Sequence, residues 1–252
     1  EEQLLEEVFK IDHNLLAYLP FMSKPVLEEL LWIPEFDFEN RQDFISIGNF
    51  LHQPNLDGVV YLKESIWPLI REALPEAKVY ICGSYITQRV LEMHNEKEGF
   101  IVLGRIEDVS ASFHRAKLSL APLRFGAGIK TKLIMSIQSA LPSVTTSIGA
   151  EGIAGDYPWP GAIADTPEVF AKAAIELYSD KAKWEKAREY CIPIINNRFN
   201  ELSISKRFKT QLETIIGDLE THRKQNFIGQ LLQHHTLQST KYLSKWIEEK
   251  NK

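Results

Sequence analysis

The sequence predicts an α/β protein: a parallel sheet of about six strands with helices on both faces, followed by a C-terminal set of helices. Three observations carry that expectation. From Phe44 onward, short β-branched or aromatic runs alternate with longer helical patterns, the mark of repeated βαβ units. Small residues, glycine above all, close most of those runs. Beyond Pro167 the strand signals cease and only amphipathic helical patterns remain.

Phe44 to Phe50 reads as the first strand. The turn cluster His52-Gln53-Pro54-Asn55 then leads into a helix over Asp57 to Ala73, where Val59, Leu62, Ile66, Leu69, Ile70 and Ala73 recur at helical spacing before Leu74-Pro75 ends it. Lys78 to Gly83 is the second strand and Tyr85 to His94 the next helical stretch. Phe100 to Leu103 is a third strand stopped by Gly104, Val109 to Ala116 a short helix, and Leu118 to Pro122 a fourth strand. A loop, Arg124-Phe125-Gly126-Ala127-Gly128, opens a helix from about Ile129 to Ser139 that Pro142 closes. Ser143 to Ser147 is a fifth strand, and Gly161-Ala162-Ile163 a sixth at the sheet edge.

Four helices are expected after that: Pro167 to Tyr178, Lys181 to Ile195, Ser203 to Glu220 and Asn226 to Glu249. The last carries Phe227, Ile228, Leu231, Leu232, Leu237, Tyr242, Leu243, Trp246 and Ile247, a set too apolar for an isolated surface helix. It calls for a partner surface. The first 40 residues read as the tail of a preceding unit and an irregular linker through Pro25 and Pro34. The expected division is therefore 1–40, 41–200 and 201–252.

Composition narrows the function. The 252 residues carry a net charge of −5 and are 44% apolar, an ordinary globular balance that argues against a nucleic-acid binder and restricts any positive site to a local patch. Cys82 and Cys191 stand far apart, with neither a CxxC pair nor a Cys/His cluster, so no disulfide framework or structural zinc site is expected and a reduced, cytoplasmic protein is. No apolar run approaches the roughly 18 residues of a membrane span. The opening Glu1-Glu2-Gln3-Leu4-Leu5 is neither a signal peptide nor an initiator Met, and reads as a start within a longer protein.

In an open parallel sheet, ligands bind beyond the carboxyl ends of the strands. Gly48-Asn49, Gly83-Ser84, Gly104-Arg105, Gly126-Ala127-Gly128 and Gly149-Ala150 all fall there. Each glycine alone is ordinarily a turn residue; five in corresponding places suggest more. The strongest signal is Arg124 to Lys132 at a predicted helix start. Free N–H groups and the positive end of the helix dipole favour an anion, glycines admit it to the backbone, and Lys130 or Lys132 adds a full charge. A phosphate or diphosphate fits. The plainer alternative, a solvated basic first turn, places cations against that same dipole. Neither a GxxxxGK[ST] nor a GxGxxG pattern is present. His52, His114 and His234-His235 lack an evident carboxylate or nucleophile beside them, and no hydrolytic motif occurs.

These motifs together resemble a known family. Ile47-Gly48-Asn49-Phe50 with His52 and Pro54-Asn55, Leu74-Pro75-Glu76-Ala77 before Ile81-Cys82-Gly83-Ser84, and Val102-Leu103-Gly104-Arg105-Ile106-Glu107-Asp108 look like the C-terminal half of a two-domain GT-B glycosyltransferase. The most specific part is Ala121 to Lys130 followed by Leu141 to Gly152, which resembles the nucleotide-sugar transferases called glycosyltransferase group 1. The likeness runs from about Phe44 to Arg198. It implies a Rossmann-like half that binds a nucleoside-diphosphate sugar as donor substrate, with no tightly bound cofactor or metal. Gly48, Asn49, Gly83, Arg105, Ile106, Gly126, Gly128, Ile129, Lys130 and Thr131 are the implied donor-binding residues, Lys130 with the Gly128 to Thr131 N–H groups holding the diphosphate.

The same resemblance implies an acceptor glycan or lipid held by the N-terminal half, a role in polysaccharide biosynthesis, a last helix that crosses back onto that half, and room for peripheral membrane association of the parent. The sequence departs from the pattern where family members often carry a ribose-binding carboxylate: that position is Met135, and the following glycine is Ala140. A basic residue after the first strand is also missing from Gly48-Asn49-Phe50-Leu51-His52. A degenerate, non-catalytic interaction domain is the alternative those departures raise.

Overall fold

The computed structural model describes residues 2–251, with the side chains of 232–237 left out of account. His234, His235, Leu232 and Leu237 therefore lie outside the described side chains. The chain divides into two compact units, residues 21–201 and residues 1–20 together with 202–252.

The first of these units is built on six strands: β1 (Gln42–Asn49), β2 (Val79–Ser84), β3 (Phe100–Gly104), β4 (Ala116–Ala121), β5 (Ser143–Thr145) and β6 (Gly161–Ile163). All pair in parallel, in the order β3-β2-β1-β4-β5-β6. The chain starts in the middle, runs outward to β3, returns beside β1 as β4, and runs outward the other way. Strand order thus reverses between β1 and β4, which opens a crevice at their carboxyl ends.

β1 shows why both faces are covered. Phe44 packs in the cluster with Trp67, Ile70 and Ala174, whereas Ile45, one residue on, packs with Phe113 and Leu141. The first face carries α2 (Gln53–Tyr61), α3 (Trp67–Ala73) and α8 (Pro167–Ser179); the second carries α5 (Val109–Arg115), α6 (Thr131–Gln138) and α10 (Cys191–Arg198). β4, flanked on both sides, is buried at every position. The edge strand β6 is not.

Several helices are shorter than periodicity alone suggests. Between α2 and α3, residues Leu62–Ile66 form a π turn, because Pro68 has no N–H for the Glu64 carbonyl. The stretch expected over Tyr85 to His94 shrinks to α4 (Gln88–Leu91), capped by Thr87, with Tyr85 at φ 54°. The long helix expected over Lys181 to Ile195 breaks into α9 (Lys181–Glu189) and α10, since Pro193 cannot donate to the Glu189 carbonyl. β5 stops at Thr145 because the Thr146 hydroxyl accepts from Gly149 N–H and starts α7 (Ser147–Ala150).

The second unit holds α1 (Glu2–Glu7), α11 (Glu201–Gly217), α12 (Leu219–Gln225) and α13 (Phe227–Lys250). Gln211 Nε2 donates to the Leu16 carbonyl and Arg207 to that of Tyr18, fastening the N-terminal segment to α11. Phe227, Ile228, Tyr242, Leu243 and Trp246 of α13 are exposed. Among the described residues no helix is long and apolar enough to cross a membrane.

Candidate functional site

The crevice between β1 and β4 gathers most of the predicted residues. On the β1 side, Gly48 and Asn49 begin the turn into α2. The Asn55 amide donates to the Asn49 carbonyl at 2.9 Å, and its side chain lies where a Gly48 Cβ would meet it at 3.0 Å. Asn49 Oδ1 accepts from Leu51 N–H. Gly83, on β2, has a different duty: a Cβ there would stand 1.7 Å from the Gly48 carbonyl oxygen. Its bare backbone is what lets β1 and β2 end side by side.

Beyond β3, Gly104 turns with φ 80°, Arg105 is exposed, and half-buried Ile106 packs with Val109, Phe113 and Met135. Asp108 caps α5 through Ala111 N–H at 2.8 Å.

The loop from Pro122 to Lys130 contains three features that the sequence left unresolved. Arg124 binds Asp57 of α2 through two N–H groups and lies over the Tyr61 ring at 4.7 Å, so its charge is already committed. Gly126 (φ 134°) and Gly128 (φ 73°) adopt conformations reserved largely for glycine, and nothing lies within 4 Å of where a Gly128 Cβ would point. Lys130 occupies the N-cap of α6, where no side chain accepts from the first-turn N–H groups, and exposed Thr131 begins the helix. Ile129 Cδ1 rests 3.0 Å from the Cβ position of Gly152, joining this loop to the one after β5.

The cations of the loop are not equivalent. The Lys130 side chain is 7% exposed, and its Nζ lies 3.5 Å from a carboxylate oxygen of Glu151, which is 66% exposed. Half-buried Lys132, on the first turn of α6, has neither an ion pair nor a hydrogen-bonding partner among the described residues. Loss of water pushes its ammonium down to about pKa 8. The sequence named Lys132 as one of two candidates; the signal that singles it out, a missing counter-charge, exists only in three dimensions.

The histidine and cysteines for which the sequence offered no chemistry have structural surroundings. His114 stacks on Phe36 at 4.0 Å between ring centroids and is held below the usual imidazole range by burial and by Arg41. Cys82 and Cys191 are buried free thiols, raised to about 11 and about 12 by desolvation. Met135 lines a cavity of about 490 Å³ between α5 and α6 together with Val109, Phe113 and Gln138. No cluster of three metal-ligating side chains occurs among the described residues.

This fold, an order-reversing parallel sheet with a glycine-rich strand-to-helix loop, defines a Rossmann-like half of the GT-B type. The family "Glycosyl transferases group 1" matches residues 41–180, and the chain belongs to it. A 44.6 kDa protein in the cps region of Klebsiella pneumoniae is 25% identical over 148 residues, which make up 56% of this chain and 38% of that protein. Two solved structures share the fold. The pneumococcal O-GlcNAc transferase GtfA, in complex with UDP and GlcNAc, superposes with a TM-score of 0.59 at 18% identity over 77% of this chain and 38% of its own. An S. aureus TarM mutant bound to Fondaparinux, alpha-GlcNAc-glycerol and UDP gives 0.61 at 14% identity over 84% and 42%. The chain thus spans about two fifths of the length of these relatives.

Proposed function

We propose that the chain is the donor-binding half of a glycosyltransferase whose parent moves a sugar from a nucleoside diphosphate to a hydroxyl of a glycan, lipid or other acceptor. The observation that carries this reading is the start of α6: an uncapped helix, preceded by Gly128 with open space over it, at the point where strand order reverses. Departure of the nucleotide concentrates negative charge on its diphosphate. First-turn N–H groups and a lysine ammonium already in place lower the cost of forming that charge without rearranging water, and no metal ion or tightly bound cofactor is called for. Gly104, Arg105 and Ile106 border the base, and Gly48 and Asn49 leave the β1 edge open to the donor. The UDP held by GtfA and TarM supports a nucleotide ligand here.

The acceptor belongs to an N-terminal half ahead of residues 1–40, residues 41–200 hold the donor, and 201–252 pack toward that N-terminal side. On this reading the parent works in the cytoplasm in polysaccharide biosynthesis, against a membrane surface where its acceptor is a lipid, and the isolated chain turns over poorly because its reaction centre needs both halves. Calorimetric titration with UDP, ADP and GDP tests the donor site: one of them binds. Failure of all three to bind refutes the assignment. Met135 favours a second reading, a transferase half that has lost donor chemistry and serves protein interaction through α13. A tight protein partner captured through α13 by a chain that binds no nucleotide selects that alternative.

A further inference from the structure

We propose that Lys132, rather than Lys130, is the cation that meets the donor diphosphate at the start of α6. The inference rests on the donor-site reading and adds to it the residue that supplies the charge.

Three cations crowd the β4-to-α6 loop, and two have carboxylates of their own. Arg124 is held by Asp57, and Lys130 lies beside Glu151. Lys132 has none, and it violates three ordinary preferences at once. It sits in the first turn of an eight-residue helix, where the dipole repels a cation. It has given up much of its water without a carboxylate, a carbonyl or an aromatic ring in return among the described residues. It also flanks N–H groups that no side chain caps.

Each violation reverses sign when an anion arrives. A diphosphate above Gly128 satisfies the free N–H groups, compensates the dipole and gives the ammonium its counter-charge. The side chain as a whole is partly covered, and its ammonium has lost enough water for its charge to count more than in bulk solvent. Among the described residues no charged side chain bears on Lys132, and desolvation is the cause that acts on it. Chains that break a local rule without internal compensation do so characteristically at functional positions.

The test is calorimetric binding of UDP and of inorganic pyrophosphate to the full chain and to Lys132→Met, Lys132→Arg and Lys183→Met, with thermal unfolding of each. Lys183 pairs with Glu176 outside the crevice and controls for the change in net charge. The proposal expects Lys132→Met to bind both ligands about tenfold or more weakly, Lys132→Arg to keep most of the affinity, and Lys183→Met to match the wild type. It further expects Lys132→Met to be at least as stable as the wild type, since an apolar chain replaces a desolvated charge; a merely structural lysine gives the opposite shift. Unchanged affinity in Lys132→Met, with UDP bound by the wild type, overturns this assignment and spares the donor site. Equal losses in Lys132→Met and Lys183→Met also overturn it. If the wild type binds neither ligand, the donor-site reading falls and takes this inference with it.

Discussion

Gly83 and Gly48 face each other across the parallel pair β1 and β2, and a methyl group on Gly83 would overlap the Gly48 carbonyl oxygen at 1.7 Å. The clash is with backbone, so no side chain can step aside, and φ 148° at Gly83 is itself unfavourable for an L residue. Gly83→Ala is expected to destabilise the residue 21–201 unit by about 3 kcal/mol or more. Urea unfolding measures it; a loss under about 1 kcal/mol means that the two strand ends can separate freely.

Arg41 is fully buried and spreads its guanidinium over three carbonyls, those of Phe36, Phe113 and Ser139, with the Trp184 ring 5.5 Å away. Arg41→Met leaves those oxygens without donors in a low-dielectric region. A loss of about 3–5 kcal/mol in equilibrium unfolding is expected. Stability equal to the wild type indicates that water replaces the guanidinium.

Glu151 competes with any anion for Lys130. Because the carboxylate is mostly exposed, Glu151→Gln changes stability by no more than about 0.5 kcal/mol. It raises affinity for UDP roughly two- to threefold by removing like charge from the crevice. Weaker binding in the variant identifies Glu151 as a group that positions Lys130 for the ligand.

Met135→Glu tests whether the proposed donor site lacks only a ribose acceptor. The residue is half-buried in the cavity between α5 and α6, so a carboxylate there costs about 1 kcal/mol of stability. Nucleotide affinity is expected to rise roughly fivefold as the ribose hydroxyls gain a charged acceptor. No gain in affinity directs attention to another acceptor, with Gln138 of the same cavity the first to substitute.

Lys132 makes stability depend on pH in a direction opposite to most paired lysines. Its folded pKa, about 8, lies below the unpaired value of 10.5, so between those values the unfolded chain retains a proton that the folded chain has released. Unfolding free energy therefore rises with pH across that window. Compared with Lys132→Met, the wild type is expected to gain stability between pH 7.5 and pH 9.5. A constant difference between the two denaturation midpoints refutes the desolvated ammonium.

Much of the sheet was legible in the sequence because burial on both faces forces continuous apolar strands, and glycines mark their ends. Phe44-Ile45, Ile81-Cys82 and Leu118 to Ala121 needed no tertiary knowledge to be read as strands. Helix lengths were less legible, because one missing proline N–H at Pro68 or Pro193 outweighs a good apolar period. The glycine loop and its cations were likewise visible. Their inequality was not: Asp57 stands 67 positions from Arg124, and Glu151 stands 21 from Lys130.

The amino-acid sequence by itself determined the α/β class, the six strands, the family and the glycine-rich loop after β4, since each depends on hydrophobic period, turn chemistry or local spacing. Only the tertiary structure decided which glycine serves strand packing, which histidine is a stacking partner and which lysine lacks a counter-charge. Desolvation and ion pairing are set by residues remote in the chain, and folding alone brings them within reach of one another.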